Sequence, residues 1–354
     1  MLASGLLASG ALCATAFFLS LAGCVVVQRV ARRLQLVDLP NQRSLHQVPV
    51  PRLGGVAIVS SVGAVLALGA RLGPVAVLGG ADLRAWLAGA AAIAVLGFVD
   101  DVRPLPAVAR LVVQVGVTTV VLGAVLGGGE LGVAAGLRLP LARSWVLPCA
   151  VLFVVGTTNI YNFMDGMDGL AATQTMSAGV ALAAASAASG QVDVALVALV
   201  IAAACAGFFV HNAPPATIFL GDAGSTSLGF TFGTLAFVAA ARPSPVPIGV
   251  VPVALAPFLL DGAFTILRRV RRGERVWQAH RSHLYQRAVA SGLTHRNVLV
   301  VYAAWCAVST TAALQVARSD ATATLVAVLA ALLPLGLTWK WVVRRERARP
   351  TPSE

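Results

Sequence analysis

Residues 144–170 read Ser144-Trp-Val-Leu-Pro-Cys-Ala-Val-Leu-Phe-Val-Val-Gly-Thr-Thr-Asn159-Ile-Tyr-Asn162-Phe-Met-Asp165-Gly166-Met-Asp168-Gly169-Leu170, and a Gly- and Ala-rich apolar run continues to Ala188. Two stretches, each close to the roughly 20 apolar residues that a helix needs to cross hydrocarbon, thus bracket a polar knot of two amides, two carboxylates and two glycines. Asn, Asp and Gly are ordinary turn formers. Ionisable groups beside lipid are costly, however, and need a purpose, so the knot reads as a site at the end of two spanning helices.

The rest of the chain repeats the apolar half of this pattern. With 58% apolar and 11% charged residues in 354, there is too little polar material to coat a soluble globule, which excludes a water-soluble enzyme. Apolar segments fall at 2–27, 54–70, 85–99, 107–128, 144–160, 169–188, 192–210, 226–241, 246–267, 297–317 and 321–340. The expected fold is all-α, one polytopic bundle of about eleven transmembrane helices forming a single domain over 1–354.

The formal charge of +12 would suggest a nucleic-acid partner in a soluble chain. Here the basic residues cluster at 29–52, 268–296 and 340–349, the distribution that orients membrane proteins with basic loops in the cytoplasm. With 28–53 inside, the N-terminus is outside and the C-terminus inside. The outward gaps then carry only Arg71, Arg84, Arg138, Arg143, Arg242 and Arg318 of the 26 basic residues. The cytoplasmic segments are 28–53, 100–106, 161–168, 211–225 and 268–296, with a tail at 341–354. Nucleic acid is not an expected partner. The five cysteines are odd in number and lie in or beside apolar runs, which supports neither a disulfide framework nor a C-x-x-C metal site.

Only 14 acids exist, and Asp100, Asp101, Asp165, Asp168, Asp222 and Asp261 all fall at the inward helix ends. The outward acids, chiefly Asp82, Glu130, Asp193 and Asp320, are not paired in sequence. Asp100-Asp101 closes the third helix, where neighbours diverge by about 100°, so one carboxylate can hold a metal while the other handles a proton. Gly221-Asp222-Ala-Gly224-Ser225 opens the eighth helix, with Ser225 as N-cap. Its backbone N–H groups suit phosphate, and Asp222 suits Mg²⁺, which takes one or two carboxylates plus substrate phosphates. In the 268–296 loop, His280 and His283 share a face if the segment is helical. No third ligand suggests Zn²⁺, so phosphate contact is the better reading.

Together with Asp38-Leu-Pro-Asn41-Gln-Arg43-Ser44-Leu-His46, Pro51-Arg52-Leu-Gly54-Gly55 and His280-Arg281-Ser-His283-Leu-Tyr285-Gln286-Arg287, these elements resemble the polyprenyl-phosphate N-acetylhexosamine-1-phosphate transferases over nearly the whole chain. The resemblance implies transfer of a HexNAc-1-phosphate from a UDP-sugar to undecaprenyl phosphate at the cytoplasmic face of the bacterial inner membrane. The products are polyprenyl-diphospho-HexNAc and UMP, and the cofactor is Mg²⁺, with Mn²⁺ as a substitute. The implied partners are the two substrates and membrane lipid, with a homodimer left open. Asp222 and Asp101 would hold the metal, and Asp100, Asp101, Asp165 and Asp168 would be catalytic, with Asp100 the candidate proton acceptor. Asn159, Asn162, Gly221, Gly224, Ser225, His280, Arg281, His283, Arg287, Arg43 and His46 would bind substrate.

Peptidoglycan-initiating relatives carry three consecutive histidines where this chain has Ala279-His280-Arg281-Ser282-His283, and a Lys where Arg103 follows the Asp pair. A UDP-muramoyl-pentapeptide donor is therefore disfavoured, and the loop looks like that of members starting O-antigen or capsule glycans. Two other classes are a transporter, whose ionisable groups should lie near the midplane, and a membrane prenyltransferase, which would want Asp-x-x-x-Asp repeats.

Overall fold

The computed structural model describes residues 2–38, 49–72, 78–127, 130–134, 137–140, 143–275, 281–318 and 321–348. Helices α1 (Leu2–Arg33), α2 (Gly54–Leu72), α3 (Ala81–Val102), α4 (Ala107–Val125), α5 (Arg143–Met164), α6 (Leu170–Ala188), α7 (Val192–Asn212) and α8 (Asp222–Ala240) account for the first eight apolar segments. They are followed by α9 (Val250–Ala254), α10 (Ala256–Arg271), a short α11 (Leu284–Ala290), α12 (His295–Arg318) and α13 (Ala321–Ala348). Two antiparallel hairpins, β1 (Val37–Asp38) with β2 (Val50–Pro51) and β3 (Glu130–Ala134) with β4 (Leu137–Pro140), are the only strands among the described residues.

The all-α polytopic expectation holds, with two refinements. Nine helices among the described residues are long and apolar enough to cross a membrane. The two expected segments outside that set are α6, diluted by Thr173, Gln174, Thr175 and Ser177, and 246–267, which breaks at Leu255 into α9 and α10. Pro257 supplies the reason, since it lacks an N–H and disfavours helical backbone at the residue before it. The fully buried Gln174 donates its Nε2 to the Ala254 carbonyl at 2.9 Å, so the break leaves no orphan acceptor there.

The bundle is organised around α8. Beyond Asp222, which opens it, every residue of this helix is buried, as expected of a helix that is non-polar or small on all sides. It packs on α3 and α5 and, to a lesser extent, on α2 and α4. The α5 contact is close because position 229 is Gly: a Cβ there would lie 2.7 Å from Tyr161 Cβ and 2.8 Å from Thr158 Cα. Gly97 does the same for α3, where a Cβ would sit 2.4 Å from the Asp222 carbonyl oxygen. Small residues at helix crossings are how backbones approach in lipid, where apolar area alone drives no association.

At the far end of α8, Arg242 ties three helices together. Its Nε and Nη2 donate to Asp82 Oδ2 at 2.9 and 2.8 Å, and its Nη1 donates to Asp193 Oδ1 at 2.6 Å. The outward acids are therefore paired in space although isolated in sequence. Asp320 lies outside the described residues. The last helix is longer than its apolar segment, and at 1.5 Å per residue its 28 residues span about 42 Å, against roughly 30 Å of hydrocarbon. Its final turns reach α11, where Glu346 meets Arg287.

Gly229→Ala is expected to lower the apparent melting temperature of the purified protein, at a cost of about 1–3 kcal/mol for overpacking. Gly116→Ala, in α4 with nothing within 4 Å of its added Cβ, should leave it unchanged or slightly raised. Equal melting temperatures for the two variants would contradict the tight α5–α8 contact.

Candidate active site

Asp100 and Asp101 form part of the last turn of α3 and point to different partners. Asp101 is buried and accepts from the backbone N–H groups of Asp222 and Ala223, both at 3.0 Å. It thus caps the start of α8 from another helix, satisfying two of the four N–H groups that every helix leaves without intrahelical partners. Gly221, at φ +75°, completes the joint, since a Cβ there would be strained and only 2.8 Å from Asp101 Oδ2. Both oxygens of Asp101 thus serve the helix, a structural role that stands beside the metal-binding role expected of it.

The same joint revises the phosphate-cradle reading of 221–225. The helix begins at Asp222 rather than 226, so Ser225 is inside it and is not the N-cap. The Gly224 and Ser225 N–H groups donate to the Gly221 carbonyl, and with Asp101 on the two before them the N–H groups of 222–225 are all paired within the protein. Gly224 serves packing, since a Cβ on it would meet Leu220 Cδ1 at 2.3 Å and Gly55 Cα at 2.7 Å. Gly54 and Gly55 donate to the carbonyls of Phe219 and Leu220 at 2.9 and 2.7 Å, which makes Pro51-Arg-Leu-Gly-Gly55 a backbone dock for this turn.

Asp100 turns instead to the α3–α4 connection and the first turn of α4. Arg110 Nη1 donates to its Oδ2 at 2.5 Å and the Leu105 N–H to its Oδ1 at 2.6 Å. Arg110 also reaches Asp222 Oδ2 at 3.5 Å. Asp222 Oδ1 accepts from Asn162 Nδ2 at 2.8 Å, and the same Nδ2 lies 3.0 Å from the fully buried Ser225 Oγ. Asn159, one turn earlier on α5, donates to Gln114 Oε1 of α4 at 2.8 Å. Asp165 lies just beyond α5, outside the spanning segments, and its carboxyl is pushed well above the usual carboxylate range by burial, with the nearby Asp222 and Asp101 adding to the effect.

The remaining expected site residues diverge. Asp168 is turned away, accepting from the Ala216 N–H at 3.1 Å and lying 3.2 Å from His295 Nδ1. It anchors the 213–221 loop, as does Asn212, which accepts from the Gly169 N–H and donates to the Ile218 carbonyl. His283 is buried and is the residue before α11. It lies 3.7 Å from the fully buried Asp261, which also takes the Leu284 N–H at 2.8 Å and the Tyr302 hydroxyl at 2.6 Å. Arg287, expected on substrate, is bound by Glu346 of α13 through Nε at 2.8 Å and Nη2 at 2.5 Å. Arg281 is exposed beside His283. Arg43, His46 and His280 lie outside the described residues.

Sequence reasoning missed Arg110, Gln114, Asn212 and His295. A signal existed for Arg110: a cation in the first turn of an apolar helix, reached from the Asp pair by a short Pro-containing connection. The completed centre sets Asp100, Asp101, Asp165 and Asp222 against Arg110, with Arg52 acting on Asp101 from α2's approach. Such an acid excess suits a divalent cation with oxygen ligands. No group of three or more His, Cys, Asp or Glu among the described residues is placed to hold a metal ion by itself.

Residues 83–240, which include the Asp pair, Arg110, the Asn159–Asp168 block and Asp222, match the family model described as Glycosyl transferase family 4. The chain is 32% identical over 281 residues to a Bacillus subtilis protein named "Probable undecaprenyl-phosphate N-acetylglucosaminyl 1-phosphate transferase", covering 78% of this chain and 76% of that one. It is 30% identical over 306 residues to the decaprenyl-phosphate N-acetylglucosaminephosphotransferase of Mycobacterium tuberculosis, with 79% and 75% covered. A phospho-N-acetylmuramoyl-pentapeptide-transferase of Moorella thermoacetica matches at 36% identity over a shorter 160 residues, 41% of this chain and 49% of that protein. The matched region holds the whole acid centre, and the full-length relatives extend the likeness over most of the bundle: the chain belongs to glycosyl transferase family 4.

Proposed function

We propose that the protein transfers N-acetylglucosamine-1-phosphate from UDP-N-acetylglucosamine to a polyprenyl phosphate, giving a polyprenyl-diphospho-sugar and UMP. The observation that carries this reading is the convergence of four carboxylates and Arg110 from α3, α4, α5 and α8 at one end of a lipid-embedded bundle. A site there can meet a water-borne donor and a lipid-borne acceptor together. The names of the Bacillus and mycobacterial relatives support the choice of sugar and of lipid. A transporter is disfavoured because α8, at the centre of the bundle, is packed on all sides rather than lining a path.

In this reading a phosphate oxygen of the acceptor attacks the β-phosphorus of the donor, the bond to the bridging oxygen breaks, and that oxygen leaves on UMP. Phosphoryl transfer depends on positioning and charge neutralisation more than on covalent chemistry. Asp222 and Asp165 are the residues to hold Mg²⁺, or Mn²⁺ in its place, and the ion would supply neutralisation of the diphosphate charge. Asp100 holds Arg110 in place, and the guanidinium, free on its other edges, is the group to meet a phosphate oxygen. With both Asp100 oxygens already accepting hydrogen bonds, a direct displacement by an acceptor that arrives anionic is favoured over attack by an Asp nucleophile. The site faces the cytoplasm in a bacterial inner membrane, since the basic loops cluster at its end. The lipid-linked product would start a cell-surface glycan of the O-antigen or capsule type.

Three outcomes test this reading. Asp222→Asn should abolish UMP release from UDP-N-acetylglucosamine while leaving the melting temperature near that of the parent, whereas Asp101→Ala should lower both, with a stability loss of several kcal/mol because it orphans two N–H groups at the start of a buried helix. Activity retained in the Asp222 variant would remove it from the centre. In a cysteine-free background, an impermeant thiol reagent should label Arg318→Cys but not Arg272→Cys in intact cells; the reverse pattern would put the site on the outside. Labelled UMP should not exchange into the donor when polyprenyl phosphate is removed, and rapid exchange would establish a covalent enzyme intermediate instead.

A further inference from the structure

Glu346 is out of place by charge alone. It is the one acid of α13 and sits among Arg344, Arg345 and Arg347, where a basic segment that only fixes orientation gains nothing from a carboxylate. Its two oxygens grip Arg287 of α11 in a bidentate pair, the geometry in which guanidinium and carboxylate interact best. The Arg287 guanidinium also lies 4.3 Å from the Trp339 ring centre, and Arg268 of α10 lies 5.7 Å from the same ring. Phe264 meets Trp339 edge-on at 4.9 Å. One indole therefore joins α10, α11 and α13.

The contacts continue from this joint to the acid centre. Arg268 Nη2 donates to the Ser282 carbonyl at 2.9 Å, holding the segment that bears Arg281 and His283. On α11, two residues before Arg287, the Tyr285 hydroxyl donates to the Phe163 carbonyl at 3.2 Å. It packs so closely on Gly166 that a Cβ there would lie 2.1 Å from it. Phe163 and Gly166 flank Asp165. With only seven residues, α11 is too short to be stable alone, and its placement depends on what grips it at both ends: Asp261 on its first N–H groups and Glu346 with Trp339 on its last turn.

We propose that Glu346 and Trp339 are positioning residues for the transferase reaction, acting from the C-terminal helix through Arg287 to set α11, the 281–283 segment and the Asp165 loop for the donor. This rests on the transferase reading above. Neither residue touches the centre, so their loss should show in donor binding before it shows in chemistry.

The experiment combines donor kinetics with hydrogen exchange on full-length protein. Glu346→Gln should raise KM for UDP-N-acetylglucosamine about three- to tenfold with a smaller change in kcat, the scale of one well-formed ion pair. Trp339→Leu should act in the same direction, while Trp339→Phe, which keeps a ring under both guanidiniums, should recover most of the loss. Arg345→Gln, whose guanidinium lies over Trp341 instead, controls for removal of a charge from the same helix and should behave as the parent. In parallel, backbone amides of 284–290 should exchange faster in Glu346→Gln and Trp339→Leu than in the parent, without a matching change in α8. If the parent turns over and the two variants keep both its KM and its exchange pattern, the positioning role is wrong. If the parent releases no UMP, the transferase reading is wrong, and the exchange of 284–290 alone decides whether α13 sets α11.

Discussion

Two hydrogen bonds from the start of α8 to Asp101 constrain the rest of the molecule. A helix buried along its whole length inside lipid cannot leave its first N–H groups to water, and each orphaned group would cost several kcal/mol. The carboxylate that satisfies them comes from α3, which therefore has to end level with the beginning of α8. That register places Asp100, next along α3, beside Asp222, and Arg110 is then required to keep two neighbouring carboxylates from repelling one another. Gly97 and Gly221 follow from the same closeness, because any side chain at either position would push α3 and α8 apart. The acid centre is thus a consequence of how the central helix is capped.

The division of labour among the acids becomes intelligible in these terms. Asp101, Asp168 and Asp261 each accept backbone N–H groups of another segment and are buried. Asp100 is committed to Arg110 and to a backbone N–H of its own connection, while the side chain of Asp222 meets the side chains of Asn162 and Arg110. Of Asp100, Asp101, Asp165, Asp168, Asp222 and Asp261, three therefore hold the scaffold. They hold the α8 start, which carries Asp222, the 213–221 loop that leads into it, and α11.

The spans were legible in the sequence because a run of apolar residues long enough to cross hydrocarbon is seldom anything but a spanning helix. The break at Leu255 was hidden, since its partner Gln174 lies on another helix and only the tertiary contact makes the break tolerable. The site was legible as a set of residue types at one end of the bundle. Their roles were not, because role here is decided by which neighbour occupies each oxygen, and those neighbours are distant in sequence: Asp101 with Ala223, Asn159 with Gln114, Arg287 with Glu346. Reading Ser225 as an N-cap failed for a related reason. The cap came from α3, so α8 could begin before any Ser, Thr or Asn of its own.

Placing a polar centre at the end of a bundle also makes two demands coincide. The loops that orient the chain need arginine, and a reaction between anionic substrates needs cations at the same end. Arg268, Arg281 and Arg287 stand where both demands apply, and an excess of mobile cations there would bind phosphate in any orientation. Restraining them with specific partners solves the conflict. Arg110 is held by Asp100, Arg269 by Glu274, and Arg287 by Glu346 with Trp339, so the positive field that sets topology is converted at these positions into fixed directions. The few acids of the inward end are in this sense as much a part of anion recognition as the arginines, because they determine where each guanidinium can point.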